Sequence, residues 1–120
     1  MIDHAFAEQF ASSWIEAWND HDMTRILAHY TEDSELSTPF ISRVASEPSG
    51  MLKGKDRISA YWLKGLQRAP DLHFELHLML IGVNSITLYF TGALGLKSAE
   101  VFEFDSSGKV YRSLAHYAGL

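Results

Sequence analysis

The chain has 120 residues, 47% of them hydrophobic and 21% charged, enough apolar material for one domain over 1–120 with a single core. Ten Lys and Arg stand against 15 Asp and Glu, a formal net charge of −5 with no basic run, which argues against nucleic acid as a partner. The absence of cysteine excludes disulfides and thiolate ligands, and no stretch approaches the roughly 18 apolar residues of a membrane span.

The first residues, MIDHAFAEQF, lack the basic and long apolar regions of a secretion signal, so a cytoplasmic location is expected. In AFAEQFASSWIEAWND, Phe6, Phe10, Trp14 and Trp18 recur at steps of four, with Ala7, Ala11 and Ile15 beside them. That spacing makes one apolar stripe of a helix, and Asp3 can cap its start. The polar run Asn19-Asp20-His21-Asp22 ends it. Asp22 can then cap a short second helix carrying Ile26, Leu27 and Tyr30.

Residues 41–53, ISRVASEPSGMLK, fit neither a helical nor a strand period and read as a long loop. KDRISAYWLKGLQ returns to helical spacing through Ile58, Tyr61, Trp62, Gly65 and Leu66, and should end near Ala69 because Pro70 follows.

The period then changes to two. In LHFELHLML, Leu72, Phe74, Leu76, Leu78 and Leu80 alternate with His73, Glu75, His77 and Met79, predicting a strand with one apolar face. SITLYFTG, LKSAEVFEF and VYRSLAHYAGL follow as further strands, separated by VNS, the Gly92–Gly95 break and DSSGK. Helices first, then strands joined by short connections, predict an α+β fold with three N-terminal helices packed on a curved antiparallel sheet.

This order of elements resembles the nuclear-transport-factor-2-like fold, and within it the SnoaL-like and ketosteroid-isomerase-like family. The resemblance rests on WIEAWNDHD, YTEDSELSTPF, GKDRISAYWLKGL and FEFDSSGKVYRSLAHY, which together cover most of the chain in order. It implies a sheet bent into a cone-shaped pocket and a dimer formed through the sheet. It does not imply one chemistry, because the fold hosts isomerases, cyclases, dehydratases, hydrolases and binding modules. Ketosteroid isomerase works with a carboxylate base and an oxyanion hole of a tyrosine and a neutral aspartic acid. Carried over by position, the base falls at Thr38, the tyrosine at Trp14 and the neutral acid at Glu100. A threonine hydroxyl takes up no proton near neutral pH and an indole N–H only donates a hydrogen bond, so only the carboxyl survives.

Glu100 is therefore the leading catalytic candidate. On a strand it shares a face with Ser98, Phe102 and Phe104, and an inward-facing carboxyl among such groups has a raised pKa suited to general acid or base work. The competing reading turns it to solvent and makes Val101 the core residue. His116 is the second candidate. Its strand has two readings, one turning Leu114 and His116 inward, where His116 and Glu100 would pair as acid and base. The resemblance favours the other, with Ser113, Ala115 and Tyr117 inward. Asp33, after Tyr30, reads as a structural acid bonding backbone N–H groups at a helix-to-strand turn.

Ligand-binding candidates are Trp14, Trp18, Tyr30, Thr38, Phe40, Trp62, Phe102 and Tyr117, with Trp14 and Thr38 orienting an oxygen and Tyr117 forming a wall. His73, Glu75 and His77 at alternate strand positions have a metal-ligand spacing, but the alternation makes them the outer polar face, available to a partner sheet with Tyr89, and no metal is expected. No Walker loop, GxGxxG, GxSxG or HExxH motif is present, and no cofactor is expected. Two functions follow. One is cofactor-free acid/base chemistry of isomerase, cyclase, dehydratase or hydrolase type on a small apolar organic molecule. The other is a non-catalytic binding or dimeric association module.

Overall fold

A computed structural model describes residues 1–120. The first helix, α1, spans His4–Asn19, and the Asp3 carboxylate accepts from the Phe6 N–H at 2.8 Å to cap it. Ala7, Phe10, Ala11, Trp14, Ala17 and Trp18 form its buried stripe. Asp22 likewise caps α2, Met23–Leu27, by accepting from the Arg25 N–H at 3.2 Å.

The second helix stops earlier than its sequence suggests. Tyr30 opens strand β1, Tyr30–Ser37, because the His29 carbonyl already accepts the Val110 N–H at 2.8 Å and draws the chain into the sheet. Asp33 thus lies exposed inside an irregular part of β1 rather than at a helix-to-strand turn.

The segment 41–53 is also more ordered than its pattern implies. A six-residue helix, α3 (Pro39–Val44), starts at Pro39 and is capped by the Thr38 hydroxyl, which accepts from the Phe40 N–H at 3.2 Å. Strand β2, Met51–Lys53, then pairs antiparallel with β1. Neither element is long enough to display a period, so there are four α-helices where the sequence suggests three. The last of them, α4, is Lys55–Arg68.

Strands β3 (Glu75–Ile81), β4 (Ser85–Thr91), β5 (Lys97–Phe104) and β6 (Val110–Tyr117) complete a six-stranded sheet of order β2-β1-β6-β5-β4-β3. The sheet is curved and unclosed, and the fold is α+β. It is mixed rather than wholly antiparallel: β1 and β6 run parallel, joining β1 and β2 from the first half of the chain to the four strands of the second.

One face carries the core. Ile86, Leu88, Phe90, Phe102, Phe104 and Val110 pack beneath α1. Trp14, buried to 1% exposure, sits on Phe74, Phe90 and Phe102 at ring separations of 5.5, 5.5 and 5.0 Å.

Strand β3 departs from the alternation read in the sequence. Leu76 pairs with Phe90, but Leu78 pairs with Tyr89, so one extra residue is inserted at His77. A one-residue insertion inverts the facing of everything after it. Leu76 and Met79 therefore face the helices, opposite Phe90 and Leu88. Leu78 and Leu80 are turned to the outer face, 52% and 50% exposed. His73 precedes β3, so His73, Glu75 and His77 do not form one strand face, and no three His or acidic side chains converge.

Candidate functional site

At the middle of β5, Glu100 pairs with Leu88 on one side and Ala115 on the other, and all three face the helices. Strand alternation places Ser98, Glu100, Phe102 and Phe104 on the inner face, as their spacing implies. Glu100 is only 7% exposed. Burial pushes its carboxyl up from 4.5 to about 8, an effect the nearby Ser113 hydroxyl partly offsets. That hydroxyl lies outside full hydrogen-bond geometry and has no other partner. Glu100 takes part in no ion pair.

The carboxyl borders a cavity of about 270 Å³. Trp14 and Trp18 form its α1 wall, and Tyr61, Trp62 and Leu66 its α4 wall. Phe40 and Val44 close the α3 end. Phe74, Phe90, Ala115 and Tyr117 complete the sheet side. Asn19, which ends α1, fixes one of these: its side-chain oxygen accepts from the Phe74 N–H at 2.7 Å and its amide donates to the Phe74 carbonyl at 3.0 Å. Phe40 and Tyr117 pack ring to ring at 4.6 Å, and Trp18 and Trp62 at 5.2 Å. Leu94, in the short turn Ala93–Gly95, lines the cavity yet is 82% exposed, and it holds a left-handed φ of 59°.

Polar atoms gather around Glu100. The Thr38 hydroxyl lies close to those of Tyr61 and Tyr117 and moderates the rise that burial causes in both phenols. The negative charge of an ionised Glu100 would raise them further, and it acts on Tyr30 as well. The site is therefore one carboxyl surrounded by neutral hydroxyls in aromatic walls. Such a carboxyl can give or take a proton near neutral pH.

Six of the sequence-selected ligand residues, Trp14, Trp18, Thr38, Phe40, Trp62 and Tyr117, line the cavity. Tyr30 and Phe102 do not. They lie behind it in the core, 3% and 0% exposed. Trp14 presents its ring but not its N–H, which donates to the Tyr30 hydroxyl at 3.0 Å. His116 is turned to the outer face, where its ring nitrogen lies 3.3 Å from the Ala99 carbonyl, so it forms no acid/base pair with Glu100. The pairing of Ala115 with Glu100 requires this, since neighbouring residues on a strand face opposite ways. Tyr61, on the aromatic stripe beside Trp62, and Ser98, on the Glu100 face of β5, also line the cavity, as do Phe74 and Phe90. The sequence names neither Phe74 nor Phe90 as a ligand residue, and their place in the wall depends on pairing that only the fold supplies.

Residues 11–113 match the model of the SnoaL-like domain family. The chain belongs to that family. A SnoaL-like protein of unknown function from Burkholderia thailandensis is 48% identical, with 98% of each chain covered and a TM-score of 0.95. A provisionally assigned ketosteroid isomerase from Kribbella flavida shares the fold at 18% identity and TM-score 0.72, over 97% of this chain and 80% of that one. IdmH from Streptomyces antibioticus, a provisionally assigned polyketide cyclase, does so at 11% identity and TM-score 0.78, over 93% and 91%. No curated protein matches the chain. The SnoaL-like and nuclear-transport-factor-2-like fold is thus established, and no helix is long and apolar enough to cross a membrane.

Proposed function

We propose that this SnoaL-like protein binds a small apolar organic molecule in the cavity beneath α1 and α4. There Glu100 performs cofactor-free proton transfer of isomerase, cyclase, dehydratase or hydrolase type. The observation that carries the reading is a lone carboxyl at the edge of a cavity, buried among aromatic rings, where burial pushes its pKa up to about 8. Thr38, Tyr61 and Tyr117 supply hydroxyls that orient a ligand oxygen or nitrogen. Phe40, Trp18 and Trp62 supply flat walls. The names of the Kribbella and Streptomyces fold relatives, an isomerase and a cyclase, lie within this range of chemistry.

The test is a carboxyl-detected NMR titration of the glutamates, together with mass identification of any molecule carried through purification. A Glu100 midpoint between 7 and 9 and a bound organic molecule support the reading. A midpoint near the ordinary ~4.3 of glutamate would sink it.

A second reading is a non-catalytic association module, a homodimer joined through the sheet. It is favoured by Leu78, Leu80 and Tyr89, which stand side by side and exposed on the outer face.

A further inference from the structure

We propose that the ligand is a lipophilic primary amine, its ammonium head seated against Glu100 and its hydrocarbon body between the aromatic walls; this rests on reading the cavity as a ligand site. The first ground is the chemistry of the lining. With Glu100, the polar side chains on this side of the lining are the hydroxyl-bearing Ser98, Thr38, Tyr61 and Tyr117. The Trp14 N–H is already given to Tyr30, and that on Trp18 is buried without a partner. Each of these hydroxyls can accept as well as donate, so the lining can receive an ammonium, which carries three N–H donors and no acceptor.

The second ground is charge. Arg68 is the one cation in the lining, on the last turn of α4. Burial and Ser113 act on the Glu100 carboxyl, and no cation does. The elements packed around it present Tyr30 from β1, Tyr61 from α4 and Tyr117 from β6. Trp14 from α1 and Leu88 from β4 add nothing that ionises. A bound ammonium supplies the counter-charge with which the carboxyl can ionise, and Trp and Tyr faces attract it further. The chain's net charge of −5 draws cations towards it.

The proton balance is fixed by these groups. Below pH 8 the free ammonium meets a protonated carboxyl. Pairing forms R–NH₃⁺ against carboxylate, and one proton leaves to solvent. A ketone or alcohol held by the protonated carboxyl behaves oppositely, weakening as the pH rises past the titration of Glu100.

The probes are 1-naphthylmethylamine, 1-naphthylmethanol and 1-acetylnaphthalene, followed by tryptophan fluorescence and by calorimetry in two buffers. At pH 8 the amine should bind at least tenfold tighter than the other two. Its affinity should rise about tenfold from pH 6 to 7 and about fivefold from pH 7 to 8, with release of close to one proton at the low end, as single-proton linkage requires. Glu100→Gln should erase the preference for the amine and the pH dependence of its affinity. The wild-type pH profile decides the matter even where that variant folds poorly. An amine no better than the alcohol, or an affinity falling over that range, overturns the proposal and leaves the cavity a site for neutral ligands. Failure of all three to bind overturns the ligand-site reading first, and this proposal with it.

Discussion

The indole N–H of Trp14 donates to the Tyr30 hydroxyl at 3.0 Å, tying the middle of α1 to the first residue of β1. Both side chains are almost wholly buried. Tyr30→Phe removes the acceptor and strands a buried donor, which costs roughly 1–3 kcal/mol. Urea unfolding should show the midpoint fall with the slope unchanged. An unaltered midpoint would mean that the indole has found another acceptor.

Glu100 makes stability depend on pH in a defined direction. Its carboxyl titrates at 4.5 in the unfolded reference and at about 8 in the fold. Below 4.5 both states hold the proton and the fold keeps its full stability. Between 4.5 and about 8 the unfolded chain releases the proton while the native one keeps it, so stability falls as the pH rises, then levels off. The gap is worth roughly 4–5 kcal/mol as an upper figure. Glu100→Gln should abolish that slope, so urea midpoints of wild type and variant should diverge steadily from pH 5 to pH 8. Parallel curves would contradict the burial of the carboxyl.

Gly92 is a steric stop behind the cavity wall. A Cβ there would lie 2.9 Å from the Phe90 ring and 3.0 Å from that of Phe74. Gly92→Ala should cost about 1–3 kcal/mol by overpacking. Thermal melting measures the loss, and reduced affinity for any cavity ligand should accompany it.

The outer face offers a separate test. Leu78 and Leu80 are half exposed and contribute little to the core, so Leu78→Glu with Leu80→Glu should leave the circular dichroism spectrum unchanged. If the sheet joins two copies, the sedimenting mass should halve. A wild-type protein that already sediments as a monomer removes the dimer reading.

Where the chain repeats over several turns or strand positions, its pattern reports the fold well. α1 and α4 have long apolar stripes, and β5 alternates without a break, so spacing puts Ser98, Glu100, Phe102 and Phe104 on one face, while the fold decides that this face is the inner one. Short or interrupted elements do not report themselves. α3 is under two turns, and the extra residue at His77 leaves an unbroken leucine alternation whose two halves face opposite sides. The site divides the same way. Six lining residues came from stripes and family positions. Tyr30 and Phe102 were misplaced by one layer, because aromatic character does not distinguish a wall from what stands behind it. His116 was decided by register with β5, a long-range fact absent from its own strand.

The parallel seam between β1 and β6 bears on how the protein is made. Residues near 35 find their partners only near 112, so a ribosome must deliver the last strand before β1 and β2 can join the other strands. Until then those two strands stand apart with an unpaired edge, the kind of surface that chaperones cover.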